Sequence, residues 1–570
     1  MKTLMRGWVG KAAVIVAALA LVPAVAAQGG AENAIAPQRA VDAVFAAYDK
    51  PDSPGCAVGV VRDGKFLYAR GYGMANLEYG IPLSSKTVFD IGSTSKQFTA
   101  ASILLLQQQG KLSLDDDIRK WVPEIPAYQK PVTIRHLLHH TSGLRDYLTL
   151  MSLAGTNFDS VTTDDDALSL IVRQKALNFT PGDEFLYSNS GYFLLSVIVK
   201  RASGKSLRAF AVENIFGPLG MKSTHYHDDH TQIVPNRATA YGPGEKSGFV
   251  IDMSGFEQTG DGAVYTTVED LLQWDQNFYQ PKVGGPELIE QLQITGALNS
   301  GEKIVYARGL NVTTYKGLKK VSHGGSWAGY RAELLRFPQK KFSVICLCNL
   351  GSTNPSSLAQ KVADVYLANE YAKEETPAGK GASLSTTPAV TLSEVELKSR
   401  AGLYRSASGA VRRVTFQDGK LWIDTVVGPR RELAPLAADR FRDTSALANL
   451  EVQFVVAQGK VELRILREDA PAVTFVAVEA ASPTPAQLAA YAGTYFSEEL
   501  DTTYRLTVDK EKLTVSQKGQ TARALTPTTR DAFIGPGGVT FEFQRDAQGR
   551  VSGFLVQAGR IRGVGFARRP

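Results

Sequence analysis

The sequence predicts a mixed α/β domain followed by two small antiparallel β-domains. Three observations lead to this prediction: strand patterns lie at both ends of a long helical region, a stretch of small and turn-forming residues follows, and a residue pattern then occurs twice. The 570 residues are 44% hydrophobic and 21% charged. This composition is ordinary for soluble domains and excludes a disordered chain or a polytopic membrane protein.

The sheet of the first domain is expected to draw strands from both of its ends. Residues 56–73 alternate in polarity around Asp63-Gly64, which is typical of a hairpin with a tight turn. Residues 331–337 and 342–350 form a second candidate strand pair. With the helical region between them, these patterns predict one α/β (α+β) domain over residues 28–375, built around an antiparallel sheet.

The last third of the chain shows a different organisation. Residues 376–392 are rich in Gly, Pro, Ser, Thr and Ala without a periodic apolar face, so they are interpreted as a linker. We interpret residues 393–482 and 483–570 as two copies of one small antiparallel β-barrel, with a single larger sandwich as the alternative. The recurring residues, 91 positions apart, are Leu397, Ala401, Gly402 and Tyr404, then Leu488, Ala492, Gly493 and Tyr495.

Residues 1–27 have the pattern of an export signal. Basic residues precede an apolar run at residues 12–25, and Ala24-Val25-Ala26 supplies the small residues that a signal peptidase recognises. The alternative is an uncleaved membrane anchor, although the run is shorter than the roughly 20 residues of a spanning helix. We therefore expect a periplasmic or secreted protein with no stable membrane span after signal cleavage.

Charge and cysteine content exclude several classes of protein. The formal net charge of +7 is spread along the chain, so nothing indicates a nucleic-acid partner. Cys56, Cys346 and Cys348 are too few for a disulfide scaffold, and their number and spacing do not suit a structural zinc site. We expect core packing to hold the fold, with Cys346 and Cys348 as buried small apolar side chains on one face of a strand.

The first chemical motif is Ser93-Thr94-Ser95-Lys96. Ser93 opens a helical pattern that Gly110 closes, so Ser93 and Lys96 lie on one helix face where their side chains can meet. A serine hydroxyl is a poor nucleophile without a neighbouring base, and a partly desolvated lysine can serve as one. The amides at a helix N-terminus also favour a developing negative charge.

Two further segments complete a candidate site. In Tyr187-Ser188-Asn189, a tyrosine can relay protons and an amide two positions later can reach the same centre. In His323-Gly324-Gly325-Ser326, paired glycines allow close approach to a ligand, and the amide after them can donate to an oxyanion. Each segment alone is equally typical of a turn with a buried aromatic residue or of a glycine-rich strand.

In this order, the three segments resemble the serine β-lactamase and penicillin-binding-protein superfamily, in particular its class C branch. Residues 137–144 and 262–271 are also similar to internal signatures of that family, and the resemblance covers residues 35 to 370. It implies a β-lactamase-like fold and two-step acyl transfer without a metal or an organic cofactor.

The resemblance implies a role for each residue of the candidate site. Ser93 would be the acylated nucleophile, Lys96 its activator and Tyr187 the general base or proton shuttle. Asn189 would contact the substrate amide, and His323 and Gly325 would line the substrate site. The backbone amides of Ser93 and Ser326 would form the oxyanion hole.

His323 departs from the β-lactamase and transpeptidase pattern, which has lysine at that position. A histidine is largely uncharged at neutral pH, so we expect weak capture of a substrate carboxylate and poor turnover of penicillins and cephalosporins. The His-x-G motif with two appended β-domains resembles the D-aminopeptidases, whose small barrels are lipocalin-like. In these enzymes a loop of the last domain restricts the active site.

We therefore expect an exported serine hydrolase that cleaves an ester or an amide bond, including D-amino-acid peptide bonds, in a small-molecule or peptide substrate. A β-lactamase or D,D-carboxypeptidase is one alternative, and a non-catalytic acylatable binder or sensor is another. The histidines and acids of residues 225–230 raise a zinc hypothesis. The resemblance favours an ordinary surface loop there, so no metal site is predicted. The sequence alone leaves the oligomeric state open.

Overall fold

The structure is a computed structural model. It describes residues 28–244, 246–371, 390–407, 409–424, 430–444, 450–457, 460–467 and 470–570. The predicted export signal, residues 1–27, and most of the predicted linker lie outside these residues. In the described part of the chain no helix is both long and apolar enough to cross a membrane.

A six-stranded antiparallel sheet forms the centre of the N-terminal domain, residues 28–375. Strands from the two ends of the domain pair directly, because Cys56–Arg62 lies antiparallel to Phe342–Cys348. This confirms the prediction that both ends build the sheet. The spatial order is Asn311–Tyr315, Leu318–Trp327, Tyr330–Phe337, Phe342–Cys348, Cys56–Arg62 and Lys65–Tyr72.

Both faces of this sheet are covered by helices, as the almost entirely buried strands require. One face packs against Gln28–Phe45 and Pro355–Leu367 through an apolar cluster that includes Val58, Phe342 and Val362. The other face packs against the helical region. Its helices are Lys96–Gln108, Ile134–Leu138, Tyr147–Ala154, Asp164–Val172, Asn189–Ser203, Leu207–Ala211, Gly217–Leu219, Val268–Asn277 and Gly285–Leu292.

Short strands and tight helical turns complete the N-terminal domain. The short strands are Met74–Asn76, Ile81–Pro82, Phe89–Asp90, His225–Tyr226, Tyr241–Pro243, Phe249–Ile251 and Val264–Thr266. The 3₁₀ turns are Gly92–Ser95, Ile118–Lys120 and Pro338–Lys340, and Val212–Phe216 is a π-helical turn.

The expectation that core packing alone holds the fold is wrong at one point. Cys56 and Cys348 face each other in the register of the two central strands and form a disulfide. Cys346 is the buried free thiol that the sequence predicts, and its sulfur lies 3.7 Å from that of Cys348. Sequence reasoning missed the cross-link because strand register, which pairs residues separated by 292 positions, cannot be deduced from three cysteines.

The first β-domain is a closed antiparallel barrel, preceded by the short helix Glu394–Lys398. Its core is a separate apolar cluster that includes Leu421, Phe441 and Phe475. The strands are Gly402–Ser406, Val411–Gln417, Lys420–Ile423, Arg431–Pro435, Arg440–Asp443, Leu450–Ala457, Lys460–Arg467 and Ala470–Val478.

The second β-domain is a nine-stranded sheet that nearly closes, because its two edge strands are separated only by Leu525. The helix Pro485–Ala489 precedes it, as a similar helix precedes the first barrel. Its strands are Gly493–Ser497, Thr502–Asp509, Lys512–Gln517, Arg523–Ala524, Thr526–Pro527, Ala532–Ile534, Thr540–Arg545, Val551–Ala558 and Ile561–Arg569, and Pro536–Gly538 is a 3₁₀ turn.

Equivalent contacts in the two β-domains support the interpretation of a duplication. The Tyr404 hydroxyl donates to the Arg400 carbonyl at 2.8 Å, and the Tyr495 hydroxyl donates to the Tyr491 carbonyl at the same distance. Each short helix begins with a capping box, at Ser393 in one copy and at Thr484 in the other. Two barrel-like sheets are thus present as predicted.

The second β-domain docks onto the helical region of the N-terminal domain. The hydroxyls of Tyr504 and Thr502 donate to the carbonyls of Leu153 and Ala154, at the C-terminal end of the helix Tyr147–Ala154. These carbonyls have no partner within their own helix, so the docked domain satisfies them. The apolar cores of the two domains join into one cluster, which places the second β-domain beside the candidate site.

Candidate active site

A cavity of about 900 Å³ contains Ser93 and is lined by residues of all three domains. Most of its wall belongs to the N-terminal domain. Arg431 and Leu450 of the first β-domain and Arg560 of the second also line it. Six of the seven predicted site residues line this cavity: Ser93, Tyr187, Asn189, His323, Gly325 and Ser326. The seventh, Lys96, lies buried beneath Ser93.

Ser93 lies in a 3₁₀ turn, Gly92–Ser95, directly before the helix Lys96–Gln108. Gly92 has a positive φ of +49°, and a Cβ atom there would lie 2.8 Å from the backbone nitrogen of Ser326. A side chain at this position would therefore push the third motif away from the serine. The glycine allows the backbone amides next to Ser93 and Ser326 to approach each other.

Lys96 makes the central contacts of the site. Its side chain is completely buried, and its Nζ donates to Ser93 Oγ at 3.0 Å and to Asn189 Oδ1 at 3.0 Å. Its third donor goes to the Asp261 carbonyl at 2.5 Å. Lys96 Nζ thus has three polar partners, and Ser93 and Asn189 are joined through one side chain.

The third motif lies on the strand Leu318–Trp327 and meets the serine turn edge to edge. Thr94 Oγ1 donates to the His323 carbonyl at 3.1 Å. A Cβ atom at Gly325 would lie 1.8 Å from the Ile91 carbonyl oxygen, so only glycine permits this contact. Ser326 follows as an exposed residue that lines the cavity, and its backbone nitrogen lies next to Gly92.

Tyr187 and Asn189 flank the lysine. Lys96 Nζ lies 5.0 Å from the centre of the Tyr187 ring, and the His140 ring packs on that tyrosine at 4.1 Å. The Tyr187 hydroxyl is buried and has no hydrogen-bond partner within the described residues. Asn189 begins the helix Asn189–Ser203, and its backbone nitrogen donates to Asp146 Oδ2 at 2.7 Å. The tyrosine hydroxyl is therefore available for a substrate.

His323 is held as an uncharged ring. It is buried, its Nε2 lies 3.0 Å from the Tyr306 hydroxyl and its Nδ1 lies 2.6 Å from the Gly324 carbonyl oxygen. Burial, with the nearby Lys96 charge, lowers the pKa of His323 to about 3. The ring consequently carries no charge at neutral pH, and both of its nitrogens already have partners.

Two buried carboxyl groups beside the site were not identified from the sequence. Burial raises the pKa of Asp90 to about 7 and that of Asp261 to about 6. Asp90 Oδ1 accepts from the Gly92 backbone nitrogen at 2.7 Å, and Asp261 accepts from the Tyr147 hydroxyl at 3.1 Å. Asp90 lies three positions before Ser93, but a single acidic residue near a motif is too common in sequences to indicate a role.

The other histidines and acids singled out in the sequence do not form one site. His225 and His227 contact each other's rings, and burial lowers the pKa of each to about 4. His230 is separate from them and pairs with Glu257 at 2.6 Å on the surface, next to Asp229. The six-residue stretch thus divides between two locations, and at one of them Asp229, His230 and Glu257 bring their ligand atoms within 4.8 Å of one another.

Sequence reasoning also missed Arg560, because nothing near it in the chain resembles a motif. Arg560 lies in the turn between the strands Val551–Ala558 and Ile561–Arg569 of the second β-domain. Its guanidinium group lies 4.7 Å from the centre of the Tyr187 ring. A loop of the last domain therefore reaches the site, a question that the sequence left open.

A serine that lines a cavity and accepts a hydrogen bond from a buried lysine is the arrangement expected of a serine hydrolase. The comparison with known families agrees with that class. The chain belongs to the beta-lactamase family, whose model matches residues 41–368, more than half of its length.

Individual relatives extend this assignment. The chain is 31% identical over 430 residues to penicillin-binding protein 4* of Bacillus subtilis (strain 168), a match that covers 71% of this chain and 91% of the relative. It is 30% identical over 312 residues to a D-aminopeptidase of Gluconobacter oxydans (strain 621H), which covers 54% of this chain and 58% of that enzyme. The chain is thus a serine hydrolase of the group that contains D-aminopeptidases and penicillin-binding proteins.

The fold is also similar to a solved structure. The octameric penicillin-binding protein homologue from Pyrococcus abyssi superimposes with a TM-score of 0.53 at 24% identity. That likeness covers 78% of this chain and 99% of the other chain. It supports the β-lactamase-like fold that the sequence predicts.

Proposed function

We propose that this protein is an exported hydrolase that cleaves amide or ester bonds, including D-amino-acid peptide bonds, through an acyl-enzyme on Ser93. The observation that carries the proposal is the position of Lys96 Nζ, 3.0 Å from both Ser93 Oγ and Asn189 Oδ1. One buried amine thereby links the nucleophile to the side chain that would hold the substrate amide.

In the proposed reaction, Ser93 Oγ attacks the carbonyl carbon while its proton passes to the Lys96 and Tyr187 pair. The backbone amides of Ser93 and Ser326 stabilise the resulting oxyanion. The same pair returns the proton to the leaving nitrogen or oxygen as the bond to the carbonyl carbon breaks. Water then attacks the ester on Ser93 and releases the acid, which regenerates the enzyme.

The substrate class follows from the relatives and from His323. Hydrolysis of amide bonds is supported by the D-aminopeptidases among the relatives. The uncharged His323 gives the third motif no cation for a β-lactam carboxylate. We therefore expect slow turnover of penicillins and cephalosporins.

The test compares the mature chain with a Ser93→Ala variant on a short-chain p-nitrophenyl ester, D-alanine p-nitroanilide and a chromogenic cephalosporin. Ester or anilide turnover that disappears in the variant supports the proposal. Fast cephalosporin hydrolysis would instead assign a β-lactamase and contradict the argument from His323. A stable adduct on Ser93 without turnover of any of the three substrates would assign an acylatable binder.

A Lys96→Ala variant tests the observation on which the proposal depends. The variant should fold, which thermal unfolding checks, but it should lose the acylation burst. An unchanged burst would remove Lys96 from the mechanism.

Export is proposed from residues 1–27 alone. Expression of the full chain in a Gram-negative host, followed by fractionation and intact mass measurement, should yield a periplasmic chain that begins near residue 28. A full-length chain in the membrane fraction would favour the uncleaved anchor.

A further inference from the structure

The turn that carries Arg560 brings the second β-domain into the cavity that contains Ser93. Ala558 pairs with Ile561, so Gly559 and Arg560 form a two-residue hairpin turn, and Gly559 has the positive φ of +51° that such turns require. Arg560 lines the same cavity as Ser93, Tyr187 and Asn189.

The N-terminal domain holds the backbone of this turn on both sides of Arg560. The Asn178 side-chain amide donates to the Arg560 carbonyl at 3.0 Å and accepts from the Arg562 backbone nitrogen at 2.8 Å. Arg562 also forms a bidentate pair with Glu184 at 3.0 and 2.9 Å. The position of Arg560 in the cavity is therefore fixed by the docking and is not that of a free loop tip.

The guanidinium group of Arg560 has N–H donors that form no hydrogen bond within the described residues. Its side chain is 42% exposed, and within the described residues it makes no hydrogen bond of its own. Arg560 forms an ion pair with Asp146, but the distance of 3.7 Å between Nη1 and Oδ2 is too long for a hydrogen bond. The oxygens of Asp146 already accept from the Thr149 backbone and hydroxyl and from the Asn189 backbone.

Neither His323 nor Lys96 offers an unused positive charge to an anionic group of a substrate. His323 supplies no cation, because burial and the nearby Lys96 charge lower its pKa, and its two ring nitrogens already contact the Tyr306 hydroxyl and the Gly324 carbonyl. Lys96 has its three donors directed to Ser93, Asn189 and Asp261. Arg560 is thus a cation beside Tyr187 whose hydrogen-bonding capacity faces the cavity.

We propose that Arg560 selects substrates that carry a carboxylate near the scissile bond, by binding that carboxylate from the second β-domain. Guanidinium groups match carboxylates in a planar, two-pronged geometry, and such hydrogen bonds are stronger than those between neutral groups. This inference rests on the proposed hydrolase function. The carboxylate can belong to the acyl part or to the leaving group. Arg560 lies beside Tyr187 and not on the third motif, where β-lactamases have their lysine, so slow β-lactam turnover is still expected.

The experiment measures discrimination by charge in pairs of matched substrates. For the leaving-group side, D-alanyl-D-alanine is compared with D-alanyl-D-alaninamide. For the acyl side, a succinyl p-nitroanilide is compared with its succinamoyl counterpart. Each is assayed with the wild type, Arg560→Gln and Arg560→Lys.

In Arg560→Gln, kcat/KM for the carboxylate member of at least one pair should fall about tenfold or more relative to its neutral partner, mainly through KM. Arg560→Lys keeps the positive charge but loses the planar, two-pronged geometry of the guanidinium group. It should therefore retain part of the discrimination between the charged and neutral substrates. The pair that responds identifies the side of the substrate that carries the carboxylate. An equal change in both members of both pairs would overturn the proposal.

Two controls separate this inference from the proposed function. Arg550→Gln removes an exposed arginine at the opposite end of the strand Val551–Ala558 and should leave all ratios unchanged. A neutral fluorophosphonate should label Ser93 in every variant, with unfolding temperatures equal to that of the wild type. Absence of label in the wild type would refute the hydrolase proposal, whereas normal labelling with unchanged ratios would refute the role of Arg560 alone.

Discussion

The two β-domains make equivalent hydrogen bonds, yet they relate to the rest of the molecule in different ways. The first has its own apolar core, separate from every other cluster of the described residues. The core of the second is continuous with that of the N-terminal domain. The difference shows that contacts outside the barrel decide how closely each β-domain is joined to the N-terminal domain, although residues of both line the cavity.

The ion pairs of the two domains show the same contrast. Arg145 of the N-terminal domain, with a side chain that is 2% exposed, pairs with Glu499 of the second β-domain at 2.5 Å. The first β-domain is joined to the second through Arg405 and Glu542, whose side chains are 37% and 25% exposed. A buried pair is costly to break on one side, whereas an exposed pair contributes little.

The largest expected effect comes from removing the buried acid of the docking interface. Glu499→Ala leaves Arg145 buried without its partner, so the free energy of unfolding should fall by about 3–5 kcal/mol. The matched variant Glu542→Ala removes the exposed acid and should cost at most about 1 kcal/mol. Urea unfolding of both variants makes the measurement, and equal losses would show that the two interfaces do not differ.

Next in size is the disulfide of the N-terminal domain. Cys56→Ala opens the cross-link to Cys348 and should lower the stability of the N-terminal domain by about 2–4 kcal/mol, because the unfolded chain is less constrained. The unfolding of the first β-domain should not change. Cys346→Ala removes the neighbouring free thiol and is the control. A loss in Cys346→Ala as large as that in Cys56→Ala would contradict the cross-link.

The stability of the N-terminal domain should also depend on pH through one buried carboxyl group. Burial raises the pKa of Asp90 from 3.8 to about 7, so between these values the native state binds a proton that the unfolded state has lost. The stability of the N-terminal domain should therefore fall as the pH rises from 5 to 8. Asp90→Asn should reduce that fall, and for a domain of this size each kcal/mol removed changes the unfolding temperature by about 1–2 °C.

Asp115 provides the matched control for this pH experiment. Its hydrogen bond with Arg135 lowers its pKa, so its titration lies below the window from pH 5 to 8. Asp115→Asn should leave the fall in stability unchanged. The same fall in wild type and in Asp90→Asn would refute the contribution of Asp90.

The smallest expected effect comes from two tyrosine variants, which test whether the first β-domain unfolds by itself. Tyr404→Phe and Tyr495→Phe each remove one equivalent hydrogen bond, which contributes about 1 kcal/mol. In calorimetry, Tyr404→Phe should shift a separate transition of the first β-domain. Tyr495→Phe should shift the transition that the second β-domain shares with the N-terminal domain. A single transition that both variants shift equally would contradict the separation of the cores.

Much of the molecule was predictable because its signals are local. The Asp63-Gly64 turn sets the hairpin of Cys56–Arg62 and Lys65–Tyr72, and one helical turn brings Lys96 next to Ser93. The third motif was recognisable because glycine is required where a Cβ atom at position 325 would meet Ile91. The two barrels were predictable because a duplicated sequence repeats its apolar positions.

Other features depend on contacts between distant parts of the chain, which no local pattern encodes. The Cys56–Cys348 disulfide follows from the register of two strands, and the raised pKa of Asp90 follows from burial by segments far from it in the sequence. Arg560 reaches Tyr187 only because Asn178 and Glu184 hold its turn against the N-terminal domain. The sequence by itself thus determined the fold class with its two barrel-like sheets, and it predicted the pairing of Ser93 with Lys96. The tertiary structure decided which barrel shares its core with the N-terminal domain and which charged side chains reach the cavity, because docking sets these distances and burial sets these charges.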